Sequence, residues 1–223
     1  MILYYITDRM QLGGDEPTRR RNLLCCIEEA ARAGVEYIQL RERDLTSRAL
    51  ERLAEEAVAA VRRGGSKTRV LVNSRIDVAL AVGADGVHLR GDDLPASEAR
   101  AIWDKSSHRT DVVVAQSCHS LADVLAAESH GADFVVFGPV YGKQGSTKPP
   151  TGVEAIGRIV GRGSPPDPKV EAGQTLRMPV IALGGITVEN AVACVRAGAA
   201  GVAAIRMFQQ GNIAEVVRRL RSA

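Results

Sequence analysis

Side chains able to bind anions, ligate metals or exchange protons recur in this sequence in short clusters, each directly behind an apolar run. Gln39, Arg41 and Arg43 in "QLRER" share strand parity and could project together, and guanidinium forks suit phosphate oxygens. Lys148, with Thr147 in "GPVYGKQGSTK", adds a cation on a long loop. The same stretch could instead spend its charges locally, as an ion-pair network of Arg41, Glu42, Arg43 and Asp44.

Asp92 and Asp93 in "HLRGDD" offer oxygens to Mg²⁺, which takes one or two carboxylates beside substrate phosphates. Alternatively, one of them caps a helix starting near Pro95, Ala96 and Ser97. His119 in "SCHS" titrates near neutrality when unperturbed and shares parity with Ser117. Cys118 has the opposite parity, which argues against a Cys-His nucleophilic pair. In "LGGIT", Gly184 and Gly185 expose backbone N–H groups, as do Ile205 and Arg206 in "AAIR", a pattern suited to a phosphate. A plain tight turn into a helix capped by Thr187 is the other reading of the glycine pair.

The elements that must position these clusters repeat. "AGVEYIQL", "VGADGVHL", "HGADFVVF" and "AGAAGVAA" each place a glycine (Gly34, Gly83, Gly131, Gly198) after a helical pattern and before an apolar run. That is the signature of a helix C-cap leading into a buried strand. Between them lie "ILYYITD", "RVLVNS", "DVVVAQS" and "PVIALGG". Eight short apolar runs alternating with helical patterns predict a single-domain α/β fold, a closed (β/α)₈ TIM barrel. Residues 161 to 177, rich in Gly, Pro and charge, read as a loop insertion before strand seven. In such a barrel the carboxyl ends of the strands carry the chemistry, which explains why "RVLV" ends in the polar Asn73, Ser74 and Arg75.

Bulk properties narrow the function. The 223 residues are 45% hydrophobic and 25% charged, with a formal charge of +3, ordinary for a globular protein. The absence of a long apolar run argues against a membrane partner, and the start "MILYYITDRM" reads as a first strand, which implies the cytoplasm. Basic residues are dispersed except in "TRRRN", and aromatics are only 4%, so nucleic acid is not an expected partner. Cys25, Cys26, Cys118 and Cys194 have neither metal-site spacing nor disulfide density, and are expected to be reduced and mostly buried.

Along nearly its whole length the chain resembles the thiamine-phosphate synthase and TenI family. The resemblance is carried by "YYITDR", "IQLRER", "VNSRIDVALAVGADGVHLRGDDLP", "SCHSLADV", "GADFVVFGPVY" and "PVIALGGIT". It implies a (β/α)₈ transferase of thiamin biosynthesis that joins hydroxymethylpyrimidine diphosphate to thiazole phosphate, with Mg²⁺ assisting departure of diphosphate. Carried over by motif, Gln39, Arg41, Asn73, Ser117, Thr147 and Lys148 would bind substrate. Gly184, Gly185, Ile205 and Arg206 would hold the thiazole phosphate, and Asp93, with Asp92 as a possible helper, would ligate Mg²⁺. Arg41 and Lys148 would face the leaving diphosphate. In the sister branch, metal-independent thiazole tautomerases, the strand-five histidine, here His119, would be the acid-base group.

Three positions depart from the synthase pattern. Ser74 stands where a metal-binding Asp is usual, Gly145 where a threonine is usual, and Arg43 where a lysine is usual. The departures keep two other readings open: the tautomerase, and a non-catalytic thiazole- or thiamin-phosphate-binding protein. Self-association as a homodimer is a further possibility for a barrel of this size.

Overall fold

Helical and extended segments alternate because the hydrophobic pattern alternates between periods of 3.6 and buried apolar runs. The computed structural model describes residues 1–63, 65–107, 109–142, 149–161 and 176–222. Eight strands, β1 (Ile2–Ile6), β2 (Tyr37–Leu40), β3 (Arg69–Asn73), β4 (Gly86–Leu89), β5 (Val113–Cys118), β6 (Phe134–Phe137), β7 (Val180–Leu183) and β8 (Gly201–Ala204), pair in chain order into a closed parallel barrel. Between and after them lie α1 (Glu16–Arg32), α2 (Ser47–Arg63), α3 (Ile76–Ala81), α4 (Ala96–Ser106), α5 (Leu121–Ser129), α6 (Val153–Ile159), α7 (Ala191–Arg196), α8 (Arg206–Gln209) and α9 (Ile213–Arg221). No described helix is long and apolar enough to cross a membrane.

All four repeat glycines adopt positive φ, between 61° and 111°, at or just past the helix ends. This backbone shape stops each helix and turns the chain into the next strand. The predicted barrel and its repeat are therefore observed. Residues 162–175 of the expected insertion lie outside the described residues, as do Gly145, Thr147 and Lys148.

Two apolar layers result from strand alternation. One face of each strand packs against the helices, with Leu3, Tyr5, Ile38, Leu40, Val70 and Val72 among the buried residues. The other face fills the barrel: Tyr4, Ile6, Leu71, Val113, Ala115, Phe134, Val136, Ile181 and Ala203 form a separate interior cluster. Tyr4 and Tyr37 meet edge to face with centroids 5.9 Å apart, and Tyr4 and Phe134 at 5.6 Å. Register then carries the interior face upward into polar residues, since Gln39 pairs with Leu71, Asn73 with His88, and His88 with Ala115. An aromatic floor thus changes to a polar mouth along the same inward-facing set.

The cysteines depart from expectation in part. All four are free, with Cys118 and Cys194 buried, but Cys26 only half-buried and Cys25 exposed, because α1 turns Cys25 away from the barrel.

Candidate active site

At the carboxyl ends of the strands lies a cavity of about 1120 Å³. Gln39, Arg41, Asn73, Ser117, His119, Gly184, Gly185, Ile205, Arg206 and Asp92 all line it. Most of the residues selected from sequence therefore converge on one space. Arg43 does not reach it: β2 ends at Leu40 and Arg43 lies in the exposed turn that follows. Asp93 and Ser74 sit just outside the lining, at the rim.

The rim on the β2 side is fixed by ion pairs. Arg9, 3% exposed, reaches Glu42 at 3.1 Å, Asp44 at 2.7 Å and Glu16 at 2.7 Å. Glu42 also accepts from the Thr7 hydroxyl at 2.6 Å, and Thr7 Oγ1 accepts from the Arg41 backbone N–H at 3.0 Å. The local network imagined among residues 41 to 44 is therefore corrected. Its acidic members pair with Arg9 across the strand gap, leaving Arg41 without an ion pair among the described residues. Burial, and then Arg43, push the Arg41 guanidinium below its usual range, so an incoming anion would relieve an unfavourable charge.

A second network runs from the barrel interior to the rim. Gln39 Nε2 donates to Asn73 Oδ1 at 3.3 Å, Asn73 Nδ2 to Ser74 Oγ at 3.1 Å, and Ser74 Oγ to Asp93 Oδ2 at 2.6 Å. Ser74 sits at φ 60°, the left-handed region where Asp and Asn are enriched among non-glycine residues. Arg90 pairs with Asp92 at 2.9 Å and with Asp93 at 3.5 Å, and its backbone N–H donates to Asp93 Oδ2. Neither Asp caps α4; Pro95 occupies that N-cap with no side-chain cap bond, because both carboxylates are turned toward Arg90.

Among the described residues no group of three or more His, Cys, Asp or Glu could hold a metal. What exists is Asp93 Oδ1, with only a long 3.5 Å contact, beside the neutral Ser74 hydroxyl, and the second oxygen of Asp92, whose Oδ2 is held by Arg90. That donor set suits a Mg²⁺ ion completed by substrate oxygens, and not a cage made by protein alone.

The opposite wall is backbone. Gly184 (φ 102°) and Gly185 (φ 62°) follow β7, and a Cβ on Gly185 would lie 2.7 Å from Tyr141 Cβ and 2.9 Å from the Gly142 carbonyl. Only glycine fits there. Thr187 does not cap α7; Asn190 is its N-cap, and the Asn190 side chain instead ties down the loop, accepting from Thr187 N–H and donating to Gly185 O, both at 2.9 Å. Among the described residues the N–H groups of Gly185 and Ile186 find no acceptor.

His119 stands on the β5 side. Its Nδ1 lies 2.5 Å from Gly138 O, and because a carbonyl can only accept, Nδ1 carries the proton and Nε2 is left as an acceptor when the ring is neutral. Its backbone is pinned by the α5 capping box, with Asp123 accepting from the His119 and Ser120 N–H groups. Cys118 beneath it is buried, and burial pushes its thiol up to about 12, which removes it as a nucleophile.

Among the cavity residues to which sequence reasoning gave no role are His88, Arg90 and Gln11. His88 is buried, with Nδ1 3.0 Å from Tyr4 Oη and Nε2 2.8 Å from Ser117 Oγ. Burial, and secondarily Arg41, lower its pKa to about 3. The available signal was a histidine of inward parity inside the apolar strand "GVHL". Gln11 donates to Asp8 while its buried Oε1 has no partner among the described residues; no strand pattern announces a residue on the short helical turn at Arg9–Gln11.

Fold and cavity define the class: a (β/α)₈ barrel with a polar, glycine-edged cavity at the carboxyl ends of its strands. Within that class the chain belongs to the thiamine monophosphate synthase family, whose model it matches over residues 3–208. A Geobacter sulfurreducens relative, provisionally named a thiamine-phosphate synthase, is 41% identical over 203 residues, 91% of this chain and 84% of its own. The thiamine-phosphate synthase of Roseiflexus castenholzii is 36% identical over 204 residues, 92% of this chain and 79% of its own. Among solved structures, thiamine phosphate pyrophosphorylase from Pyrococcus furiosus superposes with a TM-score of 0.77 at 27% identity, covering 99% of this chain and 94% of that one.

Proposed function

We propose that this protein is a thiamine-phosphate synthase that joins hydroxymethylpyrimidine diphosphate to thiazole phosphate and releases diphosphate. The observation that carries this reading is the two-sided cavity. Arg41 and Arg90 stand with Gln39, Asn73 and Ser117 on one side, and the open amides of Gly185 and Ile186 with Arg206 on the other. One anion per side, with two rings between, matches two phosphorylated substrates.

In this reading the thiazole nitrogen forms a bond to the pyrimidine methylene carbon as the bond from that carbon to diphosphate oxygen breaks. Arg41, held by Thr7 and Glu42, and Arg90 receive the developing negative charge, and Ser117 adds a hydrogen bond. Gln39 and Asn73 orient the pyrimidine. Gly185 and the β8 end hold the thiazole phosphate, and Lys148 and Thr147 complete the diphosphate side by family resemblance. Asp93 and Ser74, with Asp92 nearby, would hold Mg²⁺, which when bound supplies further positive charge to the leaving group. Phosphorylated small molecules are thus the partners.

One observation favours a second reading. His119, with Nδ1–H fixed and Nε2 open, is arranged as a proton shuttle, as a metal-free thiazole tautomerase requires. Purified protein given both substrates with and without Mg²⁺ separates the two. The synthase reading expects thiamine phosphate only with Mg²⁺, and His119→Ala retaining that activity. Metal-independent proton exchange on the thiazole, lost in His119→Ala, with no coupled product at high enzyme concentration, would replace it.

A further inference from the structure

Below the cavity a buried side-chain chain links the barrel floor to the mouth: Tyr4 Oη, His88 and Ser117 Oγ, with separations of 3.0 and 2.8 Å. Tyr4 is fully buried, His88 is 2% exposed, and Ser117 lines the cavity. Among the described residues Tyr4 Oη has no other hydrogen-bond partner, and neither has Ser117 Oγ.

Those facts select a direction for the protons. If His88 carried its proton on Nδ1, it would donate to Tyr4 Oη, and the phenol proton would be buried with no acceptor. Ser117 would then donate to Nε2 and turn its lone pairs toward the cavity. With the proton on Nε2 instead, Tyr4 donates to Nδ1, Nε2–H donates to Ser117 Oγ, and every buried group is satisfied. An unsatisfied buried donor is costly, so the second arrangement wins. Burial also keeps the ring neutral at physiological pH, its pKa being lowered to about 3, so one nitrogen must accept.

We infer that Tyr4 and His88 form a fixed hydrogen-bond relay that commits the Ser117 hydroxyl to donate its proton into the cavity, toward an anionic substrate oxygen. Tyr4 and His88 are then positioning residues for anion binding, although Tyr4 lies beneath the site and touches no ligand. Ser117 without the relay could present either a donor or a lone pair, and a lone pair repels a phosphate oxygen. The identity of the anion as diphosphate rests on the synthase reading; the direction of the relay does not.

Long-range ¹H–¹⁵N spectra of protein labelled at its four histidines, with His88 assigned by its loss in His88→Gln, read the tautomer directly. The relay requires Nε2–H in the wild type with Nδ1 accepting from the Tyr4 phenol, and in Tyr4→Phe the Nδ1 resonance should move downfield to that of an imidazole nitrogen with no hydrogen bond. Inorganic diphosphate binding by calorimetry supplies the second readout. Ser117→Ala and His88→Leu should each weaken it by about tenfold. His88→Gln should keep most of the affinity, because Tyr4 donating to the amide oxygen still turns the amide N–H toward Ser117. His88→Leu added to Ser117→Ala should cost nothing more. An Nδ1–H wild type, or wild-type diphosphate affinity in Ser117→Ala, overturns the inference. If His88→Leu does not fold, the wild-type tautomer still decides. Absence of any coupled product together with an Nε2–H tautomer and weakened Ser117→Ala binding would remove the synthase reading and leave the relay standing.

Discussion

Glu42 is a carboxylate removed from water, and its partners decide whether that is tolerable. Arg9 answers it from inside the rim, and Thr7 links it to the Arg41 backbone. Breaking a buried pair from one side strands the other charge, so Arg9→Met should cost ~3–5 kcal/mol in urea unfolding. It should also raise KM for the pyrimidine substrate by releasing Arg41; an unchanged stability would refute the buried-pair account. At position 74 the backbone already has the left-handed shape an Asp tolerates. Ser74→Asp should therefore fold and tighten Mg²⁺ binding in the presence of inorganic diphosphate by about tenfold, the worth of one charge-assisted contact. Calorimetry showing no tightening would mean that Ser74 is not at the metal position. His88 gives a pH prediction. Its folded pKa of about 3 lies below the unfolded 6.5, so between those values the unfolded chain binds the extra proton. Stability should fall as pH drops through that window, by up to ~1.4 kcal/mol per pH unit, and His88→Gln should flatten the slope. Gln39, Asn73 and Ser117 were legible because strand parity is a local property. The His88 relay and the Arg9 hub were not, because barrel closure brings together residues 84 and 33 positions apart.

Elements were most legible where one residue type is forced. Glycine at the ends of four helices marked the repeat, and each takes the positive φ that its position demands. Helix starts were less legible: Asp92, Asp93 and Thr187 are good capping types, yet Pro95 and Asn190 occupy those N-caps, since both carboxylates turn toward Arg90 and Thr187 lines the cavity. The loop after β7 shows how an element can serve the site through backbone alone. Gly185→Ala forces a Cβ against Tyr141 and Gly142 at a φ that L residues avoid. It should lose ~1–3 kcal/mol of stability. The KM for thiazole phosphate should rise more than that for the pyrimidine diphosphate. Equal effects on both substrates, measured by initial rates, would argue that the loop does not belong to one subsite.

For the molecule as a whole, closing eight strands into a ring turns a one-dimensional pattern into a gradient. Tyr4, Tyr37 and Phe134 fill the floor, and the same inward set ends in Gln39, Asn73, His88 and Ser117. The barrel was legible because alternation of strand and helix admits few closed arrangements in this length. The chemistry was legible only as clusters, since which cations meet which anions depends on closure. On the synthase reading one cavity holds two anionic substrates and couples them. The most direct measurement of that coupling follows thiamine phosphate and free diphosphate together in one reaction with Mg²⁺. Equal molar amounts of both products, each lost on omitting either substrate, are predicted. Diphosphate released without coupled product, or no turnover at high enzyme concentration, would contradict the account.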